Sequence, residues 1–247
     1  YHNMKDLIGF PSVGRSDLKF PLQPPVLTSP FETYGSALEA VRTKDSFLHY
    51  PYHSFSSFLR VLREATIDPN VKAIKMTLYR VAKNSKVIQT LIAAARNGKK
   101  VTVVIELLAR FDEASNISWS KQMQDAGIKV VFGVEGLKIH AKLVYISGRQ
   151  GDIACVSNGN FHEGNATRYT DVTLFTARKT LVKEARHVFD FIEKPYLPVK
   201  FKELLVSPND MRSKLLKLIE EEVKNAKKQK PARILGTVSY THLRAHE

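Results

Sequence analysis

Residues 71–107, VKAIKMTLYRVAKNSKVIQTLIAAARNGKKVTVVIEL, place a helical pattern between two apolar runs. Val71–Leu78 reads as a strand. Ser85–Asn97 reads as a helix, because Val87, Ile88, Leu91, Ile92 and Ala95 fall on one stripe and Asn97-Gly98 supplies a C-terminal stop. Val101–Leu107 is apolar almost without interruption, as a parallel strand buried on both faces must be. Strand, helix and strand in this order predict a β-α-β unit.

The pattern extends in both directions. Upstream, Phe58, Leu59, Val61, Leu62 and Ala65 recur at helical spacing within 55–65. Downstream, 114–126 reads as a weaker helix closed by Gly127, and Ile128–Phe132 as a third strand. Shorter strands are expected at Ile139–Ile146, Asp152–Val156 and Asp171–Thr176, and a helix at Lys179–Ile192 with Leu181, Val182, Ala185, Val188, Phe189 and Ile192 inward. An alternating β-α-β-α-β opening followed by short paired strands predicts an α/β sandwich. Residues 1–30 carry Pro11, Pro21, Pro24, Pro25 and Pro30 and read as an irregular connector. A last helix is expected from Ser207-Pro208-Asn209-Asp210, with serine as N-cap, proline at the first helical position and Asp210 as the reciprocal capping acid. Its stripe of Met211, Leu215, Leu218, Ile219 and Val223 needs a partner surface.

Composition narrows the partners. The 247 residues suffice for one large or two modest domains. Lys and Arg outnumber Asp and Glu by 38 to 24, a net charge of +14, which favours a polyanion: nucleic acid, an anionic membrane or a phosphate-rich substrate. The single cysteine, Cys155, excludes an internal disulfide framework and fits a reducing compartment; the expected setting is the cytoplasm, with association to a membrane surface as the alternative. It lies in an apolar stretch and reads as a buried thiol. The final residues 237–247, TVSYTHLRAHE, match a translation of a sequencing-adapter end, so the reading frame is expected to leave the gene near Gly236.

Chemistry concentrates in Gly136–Val144, GLKIHAKLV. On a strand, side chains two apart share a face, so His140 and Lys142 would project together. A neutral imidazole is a usable nucleophile, and an adjacent ammonium would clamp negative charge. Arg80 and Arg110 follow the runs ending at Tyr79 and Ala109, and ligands of open α/β sheets sit beyond such strand ends. Guanidinium forks bind phosphate oxygens bidentately. Ser157-Asn158-Gly159-Asn160-Phe161 offers close backbone approach, with Asn160 placed to orient the histidine or a phosphate. Tyr169 is a candidate to stack on a base; a half-buried strand tyrosine is the competing view. His49-Tyr50-Pro51-Tyr52-His53 lacks metal-ligand spacing with any other cluster and reads as a turn or pocket wall. No G-x-x-x-x-G-K-[ST] loop and no G-x-G-x-x-G after a strand are present, and no Cys/His set has zinc spacing.

Taken together, YHNMKDLIGFPSVGR (1–15), HYPYH (49–53), YRVAK (79–83), NGKKV (97–101), ARFDE (109–113), GLKIHAKL (136–143), GNF (159–161) and YTD (169–171) resemble the bacterial polyphosphate kinase family. The resemblance covers residues 1–236. It implies reversible transfer of the terminal phosphate of ATP to long-chain polyphosphate through a phosphohistidine, with Mg²⁺. On the matching motif, His140 would be phosphorylated, Arg80 and Arg110 would hold the phosphates that carry Mg²⁺, and Tyr169 would contact ATP. It also implies a phospholipase D-like catalytic half with a mixed sheet, and a homo-oligomer in the full-length protein. The expected divisions are 1–26 as the end of a preceding helical domain, 27–205 as the first catalytic domain, 206–236 as the start of a second, and 237–247 as adapter. A missing second half would supply a second histidine and further ATP contacts. Two other readings remain: a phospholipase D-like phosphodiesterase, and a non-catalytic polyanion or nucleic-acid binder. The first typically needs an aspartate five residues after the lysine, where this chain has Ser147. No sequence-specific nucleic-acid partner is expected.

Overall fold

The computed structural model describes residues 11, 13–18, 21, 24–26, 31–32, 34–79, 81–82, 84–106 and 113–235, with side chains for all of these except 113–115. Seven strands make one mixed sheet: β1 (Ser46–Tyr50), β2 (Val71–Leu78), β3 (Lys100–Ile105), β4 (Lys129–Val131), β5 (Lys142–Gly148), β6 (Ile153–Ser157) and β7 (Asp171–Thr176). Their order across the sheet is β1-β7-β6-β5-β2-β3-β4. β2, β3 and β4 are parallel, as the apolar run of β3 predicts for that strand. β5 lies antiparallel to β2, and β6, β7 and β1 continue antiparallel from it. The helices are α1 (Ala37–Thr43), α2 (Ser56–Ile67), α3 (Lys86–Arg96), α4 (Glu113–Asp125), α5 (Lys179–Glu193) and α6 (Met211–Lys227).

Alternation along β5 divides the core in two. Val144 and Ile146 join a cluster with Phe58 and Leu62 of α2 and Ile88 and Leu91 of α3. Leu143 and Tyr145 point the other way, onto Val182, Ala185, Phe189 and Ile192 of α5. The sheet is thus covered on both faces, which is why its central strands carry so few polar residues. Within the first cluster Phe58 stacks on Phe161 with ring centroids 4.7 Å apart, an arrangement that contributes about 0.5–1.5 kcal/mol beyond its buried area.

Helix ends follow local chemistry. Ser85 accepts from the Ile88 N–H at the start of α3, and Gly98 leaves the helix at φ +78°, a conformation glycine adopts without Cβ strain. At the end of α5, Glu193 accepts from Lys75 (2.8 Å) and Lys129 (2.5 Å), tying the helix to β2 and β4. Burial alone would raise this carboxyl, but the two ammonium groups hold it below the usual range. Glu184, buried on the same helix, accepts from the backbone N–H groups of Lys202, Glu203 and Leu204 at 2.6–3.2 Å.

Three expectations change. The strand expected from Ile139 begins at Lys142, because the Thr77 hydroxyl donates to Ala141 O (2.6 Å) and accepts from the Leu143 N–H (2.9 Å), holding the chain just ahead of the ladder. The last helix begins at Met211 with Asp210 as N-cap residue, and Ser207-Pro208 belongs to the preceding turn. Asp210 spends its carboxylate on the Val206 N–H (3.1 Å) and Lys214 (2.6 Å) instead of capping the helix. Finally, α1 and β1 were not anticipated; β1 alternates buried and exposed residues, as an edge strand with one wet face does. The stripe on α6 is solvent-facing throughout: no residue of that helix is buried. Among the described residues no helix is long and apolar enough to cross a membrane.

Candidate active site

The carboxyl ends of β2 and β3 and the start of β5 meet at one end of the central strands. Thr77, 2% exposed, fixes the backbone there through its two hydrogen bonds to the His140–Leu143 segment. Glu106, buried at the end of β3, accepts from the Ile139 N–H at 3.2 Å. Asn116 of α4 reaches across both parallel strand ends, donating to Glu106 O (3.0 Å) and Tyr79 O (3.3 Å). Trp119, one turn further on, donates its indole N–H to Ala82 O at 3.2 Å.

On this frame His140 and Lys142 come together. Lys142 is 6% exposed, yet its ammonium reaches the exposed His140 ring at 2.9 Å from Nδ1 and 3.1 Å from Nε2. The same Nζ donates to His140 O at 2.6 Å. The two groups adjoin as expected, but by a different route: the lysine at the first ladder position folds back on a histidine that lies two positions ahead of the strand. Tyr79 packs its ring edge-on to His140, with centroids 4.9 Å apart. Lys138 and Lys142 lie 5.3 and 5.2 Å from the Tyr79 centroid, within cation–π range. A phosphoryl group on either ring nitrogen would therefore lie against the Lys142 charge.

The Asn158–Asn160 loop closes another side. Asn158 donates to Asp171 (3.1 Å) and accepts from the Val172 N–H (2.7 Å). Burial pushes the Asp171 carboxyl up; the Asn158 amide and the Lys142 charge oppose this, without cancelling it. Gly159 is required by sterics, since a Cβ there would meet the Asp171 carboxylate at 2.1 Å. Asn160 sits in this loop with its Oδ1 buried and without a hydrogen-bond partner. Tyr169 is 55% exposed in the turn leading into β7. Arg80 and Arg110 lie outside the described residues, as does the segment 237–247. A cavity of about 570 Å³ opens beside His140 and Lys142, walled by Val188 and Ile192 of α5, by Leu204 and Pro208, and by Met211.

Other sequence candidates resolve as structure. The His49–His53 segment closes on itself: the His53 N–H donates to His49 O and the His49 N–H to His53 Nδ1, both at 2.8 Å. Cys155 is buried and its thiol is pushed up by desolvation, which leaves little thiolate to react. Four residues of the site escaped the residue-by-residue reading: Tyr79, Thr77, Glu106 and Asp171. Only Glu106 gave a signal of its own, as a lone carboxylate inside an apolar run. For a divalent ion, the described residues contain no group of three or more His, Cys, Asp or Glu side chains able to hold it. Lys138 and Lys142 beside His140 suit phosphate oxygens.

A family model described as polyphosphate kinase C-terminal domain 1 matches residues 36–198. The polyphosphate kinase of Vibrio cholerae serotype O1 is 49% identical over 238 residues, 95% of this chain and 34% of that protein. That of Escherichia coli K12 is 46% identical over 240 residues, 95% of this chain and 35% of that protein. The crystal structure of polyphosphate kinase from Porphyromonas gingivalis superposes with a TM-score of 0.81 at 38% identity, covering 93% of this chain and 39% of that one. The chain thus spans about a third of the length of the curated relatives it matches.

Proposed function

Because this chain belongs to the polyphosphate kinase family, we propose that it carries the phosphoryl-accepting half of an ATP–polyphosphate phosphotransferase, with His140 as nucleophile. The observation that supports it most is the Lys142 ammonium set against both ring nitrogens of an exposed histidine at the carboxyl ends of parallel strands. A ring nitrogen of His140 attacks the γ-phosphorus of ATP in line. The P–N bond forms as the bond to the β,γ-bridging oxygen breaks, and ADP leaves with that electron pair; the imidazole proton stays on the other nitrogen. A terminal oxygen of polyphosphate then attacks the same phosphorus and the P–N bond breaks, returning the pair to the ring. Both steps run in either direction, since each exchanges one phosphoryl bond for another.

Lys142 offsets charge on the transferred group, and Tyr79 fixes the ring plane that presents the nitrogen. Arg80 and Arg110 are assigned to the nucleotide and polymer phosphates, Tyr169 to the base, and Asn160 to orientation of the phosphoryl group. Mg²⁺ enters as part of the MgATP substrate. Residues 27–205 form the first catalytic unit in this reading, and 206–236 open a second. The test is incubation of the complete gene product with γ-labelled ATP. Acid-labile, base-stable label is expected on the wild type and lost in His140→Ala; undiminished labelling of that variant would sink the assignment.

A further inference from the structure

From Lys142 beside His140, β5 runs for seven residues, about 20 Å at strand rise, and ends in the 148–151 turn. There, on the face covered by α5, lies a second hollow of about 600 Å³, within the range of small-ligand sites. Five cations line it: Arg42, Arg149, Lys179, Lys183 and Arg186. Lys179, Lys183 and Arg186 stand at i, i+4 and i+7 on α5, one stripe of one helix. Only Arg186 has a carboxylate at ion-pair distance among the described residues, Asp190 at 3.9 Å. Asp152, the one acid in the wall, is already engaged by the Tyr145 hydroxyl (2.5 Å) and the Gly148 N–H (3.1 Å). Arg42 donates one nitrogen to Gln150 at 2.9 Å, while its Nε and Nη2 are buried with no hydrogen-bond partner. Four of the five cations thus have no carboxylate at ion-pair distance among the described residues, and an anion in the hollow would offset their charge.

We propose that this basic hollow binds an internal stretch of the polyphosphate chain, anchoring the polymer about 20 Å from the end that reacts at His140. The inference rests on the phosphotransferase reading. An anchor of this kind favours long chains over short ones: a chain too short to span both places gains nothing from it, whereas a long one rebinds at high local concentration. The polymer is expected to follow α5, whose first turns line the hollow and whose last turns wall the cavity beside His140.

The test uses the complete gene product and a Lys183→Glu/Arg186→Glu variant, both changes being on exposed positions of α5. An Arg149→Ala variant serves as a second probe should the helix changes perturb folding. Binding of end-labelled long-chain polyphosphate is followed by fluorescence anisotropy across a salt series. The expected result is a rise in Kd of roughly tenfold and a shallower salt slope, with affinity for inorganic tripolyphosphate unchanged. Labelling of His140 by γ-labelled ATP should match the wild type. Equal affinity of variant and wild type for the long chain overturns the hollow while leaving His140 standing. So does an equal loss of affinity for single-stranded DNA, which would mark a general basic surface. Failure of His140 to label overturns the phosphotransferase reading, and the anisotropy series still decides the hollow.

Discussion

At the level of single residues, the site depends on small polar groups whose partners are far away in the chain. Thr77 meets Ala141 and Leu143 across 64 and 66 positions, so no local pattern in the sequence marks it. His140 and Lys142, by contrast, were legible as a pair, although their adjacency comes from a folded-back side chain and not from strand alternation. Thr77→Val removes the hydroxyl and leaves the Ala141 carbonyl and Leu143 N–H unpaired, a cost of about 1–3 kcal/mol. The variant is expected to melt earlier and to phosphorylate His140 more slowly, while Thr77→Ser restores both; an unchanged labelling rate in Thr77→Val would remove it from the positioning frame. Gly159→Ala forces a methyl group into the Asp171 carboxylate, and overpacking of this kind costs about 1–3 kcal/mol. Thermal melts of Gly159→Ala, Asp171→Ala and the double variant check the contact, with recovery expected in the double variant.

At the level of elements, periodicity reported what packing enforces. β2, α3 and β3 were readable because each is buried along a full stripe or a full run. β1 escaped because it is an edge strand with Phe47 55% exposed, which breaks the apolar signal. The last helix starts three residues later than its Ser-Pro signature implies, because Asp210 is drawn to Lys214 and the Val206 N–H. α5 shows a device no pattern reveals: Glu184 gathers the chain at 202–204. Burial would raise this carboxyl, yet hydrogen bonds from Leu204, Lys202 and Glu203 and the Lys214 charge set it below the usual range. A lowered value means that its contribution is complete above the ordinary carboxylate range and is lost as pH falls through the lowered one. Acid is therefore expected to release this segment, raising hydrogen exchange at 202–204, and Glu184→Gln should show that release already at neutral pH. Identical exchange in the two proteins at pH 7 would contradict the role.

At the level of the whole molecule, charge and apolar surface divide the work. The excess of 14 positive charges gathers in part at two places on the α5 side of the sheet, one beside His140 and one at the opposite end of β5. The α/β class and the mixed sheet followed from the sequence; the hollow did not, since its cations come from α1, the 148–151 turn and α5. Trp119 gives the molecule one more property. It is the chain's only tryptophan, 9% exposed, and its indole is bound to the carbonyl of Ala82, just beyond the strand end that bears Tyr79. Emission excited selectively in the indole therefore comes from one chromophore in one corner of the fold. Nucleotide seated beside Tyr79 should shift its wavelength or quench it, and the unlabelled protein becomes its own optical gauge of occupancy: a titration with ATP that leaves the spectrum flat would mean that binding never reaches that strand end.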